Sequence, residues 1–137
     1  IATYANADEG GHTINNYLEA TASQQPNRLR VFKSLGQLKY LSLLKESAMV
    51  AGNSSSAIIE APFLGVPVLN IGSRQNGRHL CRNVRSVSSK KEDIRQALLD
   101  FSQNDFKRFE ADTYYGNGHT AEEIVAGLKW KYGNIQE

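Results

Sequence analysis

The sequence predicts an α/β fold, a parallel β-sheet with helices on both of its faces. Short apolar segments alternate with longer amphipathic segments along the whole chain. At the centre, residues 49–71 contain an apolar run, a glycine turn, a serine-rich helix start and a second apolar run. This order is typical of a βαβ unit, in which the two strands are parallel.

The composition is that of an ordinary globular domain. The chain has 137 residues, of which 40% are hydrophobic and 22% are charged. The net charge of +2 does not indicate a nucleic-acid partner, and no apolar run is long enough for a membrane span, so we expect neither partner. The single cysteine, Cys81, excludes an internal disulfide and favours a reducing, cytoplasmic location.

Each element follows from a local pattern. Four or five strands are expected, at residues 1–4, 29–32, 49–51, 68–71 and 83–87. Helices are expected at residues 12–23, 37–47, 55–63, 90–102 and from residue 120 towards residue 132. Apolar stripes at helical spacing support the first two helices, through Ile14, Tyr17, Leu18 and Ala22 and through Leu38, Leu41 and Leu44. Capping boxes at Ser89–Glu92 and Thr120–Glu123 predict the starts of the last two helices.

Two polar segments connect these elements, and the first of them is a glycine turn. The turn of residues 6–11 is expected to be a plain connection, and residues 104–115 are expected to be irregular or a short helix. Because residues 1–4 resemble the end of a strand without an initiator Met, we expect the chain to be a fragment of a longer protein.

The turn after the central apolar run has the residue types of a phosphate site. Gly52 permits a sharp turn, and Ser54 and Ser55 stand where a helix begins. A helix N-terminus presents unpaired backbone N–H groups, to which the serines would add hydroxyl donors. Glu60 follows about 8 Å further along a helix axis, at 1.5 Å per residue, and a carboxylate there is a natural acceptor for a ribose diol.

Two arginines follow the next apolar run. Arg74 and Arg78 lie in a glycine-flanked loop after residues 68–71, where a parallel sheet opens its ligand crevice. Arginine can bind phosphate through two parallel hydrogen bonds. On spacing alone, an equally good interpretation is that Ser54 only caps a helix, that Glu60 is a solvated helix residue and that both arginines are surface residues.

The motif G-N-S-S-S-A-I-I-E-A-P, followed by N-I-G-S-R-Q-N-G-R, resembles the signature of the hydrolysing UDP-N-acetylglucosamine 2-epimerases. The D-S-G-G turn and T-E-R-P-E loop of the non-hydrolysing enzymes are not present. The resemblance implies a Rossmann-like three-layer fold, the C-terminal half of a two-domain arrangement shared with type-B glycosyltransferases. Residues 1–137 would then form one nucleotide-binding domain, with the N-terminal domain of the same enzyme absent.

The resemblance also implies the chemistry. UDP is eliminated from a UDP-sugar, and water adds to the glycal-type intermediate to give N-acetylmannosamine. Ser54 and Ser55 would stabilise the departing pyrophosphate, Glu60 would bind the ribose, Arg74 would anchor the nucleotide, and Arg78 would be a second, weaker contact. Leu35 and Tyr40 would border the uracil. The acid and base residues would lie outside this chain, no cofactor is implied, and the complete enzyme would be a homo-oligomer of bacterial sialic-acid-type sugar biosynthesis.

The remaining candidate residues give weaker evidence of a function. His79 and Cys81 lack the partners of a zinc site, so we expect no metal, and Cys81 is expected to be a small buried apolar residue. Nothing in the sequence indicates that a histidine acts as a general base. Trp130 and Tyr132 would pack where the last helix meets the absent domain. Two other functions fit the residues: the donor-binding domain of a type-B glycosyltransferase, and a non-catalytic nucleotide or anion sensor.

Overall fold

Strands and helices alternate through the chain in the computed structural model, which describes residues 1–6 and 9–133. In chain order, the elements of this described part are β1 (Ala2–Thr3), α1 (Gly11–Gln24), β2 (Val31–Phe32), α2 (Gly36–Glu46), β3 (Val50–Gly52), α3 (Ser55–Ile59), β4 (Val68–Ile71), β5 (Val84–Val87), α4 (Lys91–Gln103) and α5 (Thr120–Tyr132). All of these strands and helices were predicted, and their bounds differ from the predicted ones by a few residues.

The chain divides into two compact units, Ile1–Leu43 and Leu44–Glu137. In the first unit, β1 and β2 pair in parallel, with Ala2 opposite Val31. Gly11 begins α1 and is buried, and a Cβ atom there would lie 2.1 Å from the Asn6 carbonyl oxygen, so only glycine fits. Two residues of the predicted turn at this point, Ala7 and Asp8, lie outside the described residues.

The second unit contains a parallel sheet in the order β3-β4-β5. The register pairs Val50 with Val68, and Val68 in turn with Val84. The α/β class with parallel strands is therefore confirmed, while the strands form a two-stranded and a three-stranded sheet and the three-layer arrangement stays a prediction. The largest fully buried side chains come from α3, β4 and the connection between them: Ile58, Leu69, Val66, Val68, Pro62 and Pro67.

Residues 107–113 form an irregular segment that covers this connection. The Phe109 amide donates to the Gly65 carbonyl (3.0 Å), and the Asp112 amide donates to the Pro62 carbonyl (3.0 Å). The Arg108 guanidinium donates to the carbonyls of Lys45, Ser47 and Leu64. The prediction that this stretch is irregular is confirmed, and its backbone and Arg108 supply the hydrogen bonds that regular structure would otherwise make.

Several helix ends differ from the prediction. The predicted helix over residues 55–63 ends at Ile59, because Pro62 has no N–H and its ring opposes the carbonyl four residues earlier. The Ser89 capping box was wrong: Ser88 accepts from the Lys90 amide (3.0 Å) and donates to Asp93. The Thr120 box was also wrong, since Asn117 accepts from the His119 amide (2.9 Å) and donates to Glu123.

The amphipathic helices leave much of their apolar surface exposed. In α2, Leu38 is 80% exposed whereas Leu44 is only 3% exposed. Every residue of α5 is exposed, and Trp130 is 88% exposed. The apolar periodicity thus predicted the helices, but it did not predict which of their faces are covered within this chain. In the part of the chain that is described, no helix combines the length and apolar character that a membrane crossing requires.

Candidate nucleotide-binding site

The serine turn, residues 52–56, lies at the carboxyl end of β3. Gly52 has a φ of 149°, a conformation that other residues rarely adopt, and the chain turns there into α3. Ser54 and Ser55 are both exposed. Within the described chain the Ser54 hydroxyl makes no capping bond to α3, so capping does not occupy it. Because α3 has only 5 residues, the donors here are mainly the serine hydroxyls and the unpaired N–H groups of its first turn.

Glu60 follows α3 and is half-buried. The Ser56 hydroxyl donates to its Oε2 atom across one turn of the chain. The carboxylate is therefore held against the turn by a charge-assisted hydrogen bond, which is stronger than a bond between neutral groups. This is not the freely solvated helix residue that the alternative interpretation supposed.

The arginine loop, residues 72–78, follows β4. Arg74 and Arg78 are exposed, whereas Gln75 between them is only 5% exposed. The Gln75 Nε2 atom donates to the Asn53 carbonyl oxygen at 2.7 Å. The loop also turns back on itself through a bond from the Asn76 amide to the Ser73 carbonyl (3.0 Å).

The sheet topology explains why these two loops meet. β3 and β4 are adjacent and parallel, and Gly52 pairs with Asn70, so both strands end at the same edge of the sheet. Ligand crevices of open α/β sheets lie outside this carboxyl edge. The buried Asn70 donates to the Ser86 hydroxyl on β5 (2.9 Å), so polar groups continue along the ends of all three strands.

Aromatic side chains flank the far end of the arginine loop. The Tyr115 hydroxyl donates to the His79 carbonyl (2.7 Å), and the His79 ring stacks on Tyr114 with ring centroids 3.7 Å apart. Burial raises the pKa of the Tyr115 phenol, and the positive charge of Arg78 acts in the opposite direction. These contacts connect the residues just after Arg78 to the segment that precedes α5.

Cys81 is 4% exposed, which confirms the prediction that it is a buried residue. Burial raises the pKa of its thiol, and the negative charge of Asp112 raises it further. The thiol therefore stays protonated near neutral pH, and a protonated thiol is a poor nucleophile and a poor metal ligand.

Leu35 and Tyr40 belong to the first unit and are both half-buried. Leu35 directly precedes α2, and Tyr40 lies in the first half of that helix. Their contact with a uracil base stays a prediction.

Comparison with known proteins shows the family to which the chain belongs. The family model described as UDP-N-acetylglucosamine 2-epimerase matches residues 1–129. The chain belongs to the UDP-N-acetylglucosamine 2-epimerase family.

Relatives within this epimerase family come from several bacteria. The chain is 41% identical over 108 residues to the GDP/UDP-N,N'-diacetylbacillosamine 2-epimerase (hydrolyzing) of Campylobacter jejuni. The aligned residues are 79% of this chain and 28% of the relative. It is 32% identical over 120 residues to the UDP-N-acetylglucosamine 2-epimerase of Neisseria meningitidis, covering 88% of this chain and 30% of the relative. It is 32% identical over 129 residues to the UDP-N,N'-diacetylbacillosamine 2-epimerase (hydrolyzing) of Legionella pneumophila, covering 94% of this chain and 33% of the relative. The chain thus spans about a third of the length of these epimerases.

Two residues of the site were not singled out from the sequence of this epimerase-family chain. Ser56 was noticed only as the third serine of a run, although its hydroxyl holds Glu60. Gln75 was quoted inside the R-Q-N-G-R motif but was given no role, although it joins the two loops. The only available signal was its position between two candidate arginines, since a buried glutamine cannot be told from an exposed one by local pattern.

Proposed function

We propose that this chain is the UDP-binding part of a hydrolysing UDP-N-acetylglucosamine 2-epimerase. The reaction eliminates UDP from UDP-N-acetylglucosamine and hydrates the glycal-type intermediate, which yields N-acetylmannosamine and UDP. The proposal rests chiefly on one observation: exposed serines and exposed arginines occupy two loops that are hydrogen-bonded to each other at one sheet edge. Family membership and the activities for which two hydrolysing relatives are named support it.

The serine turn would act on the leaving group. As the C1–O bond breaks, negative charge develops on the pyrophosphate, and donors that are already in position stabilise it without reorganisation. We assign this role to the hydroxyls of Ser54 and Ser55 and to the backbone N–H groups beside them. Loss of one such donor typically costs about 3–4 kcal/mol in the transition state.

The remaining residues would bind the nucleotide. Glu60, oriented by Ser56, would accept hydrogen bonds from the ribose hydroxyls. Arg74 would pair with phosphate, and Arg78 would add a weaker contact from the other end of the loop. Tyr40 and Leu35 would contact the uracil, where stacking on an aromatic ring contributes about 1–3 kcal/mol.

This chain would supply binding and leaving-group stabilisation, and the acid and base residues would come from the remainder of the enzyme. The chain spans about a third of its relatives, which supports a longer protein. The exposed α5, with Trp130 and Tyr132 near its end, would pack against the N-terminal domain of that protein. We further propose a cytoplasmic homo-oligomer that needs no cofactor.

A second candidate function is the same reaction on a different nucleotide-linked sugar. The 41% identical relative is named as acting on a GDP- or UDP-linked N,N'-diacetylbacillosamine. The residues that would distinguish the two sugars lie mostly outside this chain in our proposal, so the complete enzyme must be assayed with both substrates.

The test uses the complete enzyme, UDP-N-acetylglucosamine and no acceptor. We expect equal amounts of free UDP and N-acetylmannosamine, whereas a glycosyltransferase would not turn over and a nucleotide sensor would only bind. The Ser55→Ala variant should lower kcat about 100-fold through the lost donor. Ser102→Ala, at an exposed position in α4, is the matched control and should have normal kcat. A normal kcat and UDP affinity in Ser55→Ala would overturn the assignment of the phosphate site.

A further inference from the structure

Gln75 is a buried polar residue inside an exposed loop. It is 5% exposed, while its neighbours Arg74 and Asn76 are both exposed. Its Nε2 atom donates to the Asn53 carbonyl at 2.7 Å, and its Oε1 atom is buried with no hydrogen-bond partner within the described chain. A backbone carbonyl can only accept, so the amide nitrogen must face Asn53 and the oxygen must face away.

The buried Oε1 atom of Gln75 does not stabilise the fold. A buried acceptor without a partner loses its hydration and gains nothing in return. An apolar side chain of the same length, such as methionine, would fill the same space without that cost. Local departures of this kind are typical of functional sites, where a residue is needed for what it positions.

The bond joins the two loops next to their candidate phosphate contacts. Asn53 directly precedes Ser54, and Gln75 directly follows Arg74. The Cα atoms of Ser54 and Arg74 are therefore each about 3.8 Å from the Cα atom of a residue that makes the bond between the loops. The arginine loop contains Gly72 and Gly77 on either side of Gln75, with φ values of 81° and 85°. Such glycine-flanked loops have many accessible conformations, and a tether at the centre selects one of them.

We propose that Gln75 is the positioning residue of the pyrophosphate site, setting the distance between the serine turn and Arg74. The inference rests on the proposed function, because it requires a pyrophosphate to be bound between these loops. Gln75 does not touch the ligand. It acts through the Asn53 carbonyl, and misplacement of a binding group by about 1 Å can cost as much as 100-fold in rate.

The experiment compares Gln75→Met with Asn76→Met in the complete enzyme. Gln75→Met removes both the donor and the unpartnered acceptor while keeping the length of the side chain. We expect the Kd for UDP, measured by isothermal titration, to rise about tenfold, and the melting temperature without ligand to stay equal or to rise. Asn76→Met makes the same kind of change at the exposed neighbouring position and should leave both values unchanged.

A parallel titration of Ser55→Ala separates the two proposals. Weakened UDP binding in Ser55→Ala together with a normal Kd in Gln75→Met overturns the role of Gln75 and leaves the phosphate site in place. Normal UDP binding in both variants overturns the phosphate site and the role of Gln75 with it. A lower melting temperature in Gln75→Met, with a normal Kd for the folded fraction, would make the bond merely structural.

Discussion

Gly65 provides the sharpest test of how the fold supports the site. It lies in the connection between α3 and β4, has a φ of 64°, and accepts a hydrogen bond from the Phe109 amide at 3.0 Å. A Cβ atom at this position would lie 2.2 Å from the Phe109 carbonyl oxygen, closer than any real contact. The Gly65→Ala substitution must therefore move the segment of residues 107–113 away from this connection.

The expected loss in the free energy of unfolding has two parts. A left-handed conformation costs a residue with a Cβ atom about 1–2 kcal/mol. Displacing the Phe109 backbone removes a hydrogen bond with a net value of about 1 kcal/mol. Together these give a loss of about 2–3 kcal/mol, before any loss of the Arg108 contacts in the same segment.

Urea unfolding followed by circular dichroism measures this loss. The matched control is Gly127→Ala in α5, where the added Cβ atom meets nothing within 4 Å. That substitution should stabilise the helix by about 0.5–1 kcal/mol, because alanine loses less backbone entropy than glycine. If Gly65→Ala unfolds at the wild-type urea concentration, the packing of residues 107–113 on this connection is wrong.

Other predictions concern the nucleotide and the absent domain. Glu60→Gln should weaken UDP binding about tenfold without changing pyrophosphate binding, and Ser56→Ala should have a smaller effect in the same direction, since its hydroxyl orients the carboxylate. Competition titrations measure both, and equal losses for the two ligands would exclude a ribose contact. Trp130→Lys should destabilise the complete enzyme by about 1.5–3 kcal/mol if the tryptophan is buried there, and an unchanged melting temperature would contradict that docking.

Local sequence patterns predicted the strands and helices better than they predicted how the helices end and are capped. The apolar run of residues 68–71 predicted a strand, and β4 forms there with Val68 and Leu69 fully buried. The predicted helix over residues 55–63 was too long, because Pro62 cannot continue a helix and α3 ends three residues before it, at Ile59. The starts of α4 and α5 were predicted to within one residue, but the capping boxes were wrong, because several polar residues compete at each start and only the geometry of the turn selects the hydrogen bonds of Ser88 and Asn117.

By itself, the sequence determined the α/β class, the serine turn and the arginine loop, since strand and helix periodicity, glycine turns and polar loop residues are all local properties. The tertiary structure decided which of these lie together. Parallel pairing of β3 with β4 brings the two loops to one sheet edge, and burial of Gln75 joins them through the Asn53 carbonyl. No local pattern contains that information, because a hydrogen bond between residues 53 and 75 exists only after the strands that carry them have paired.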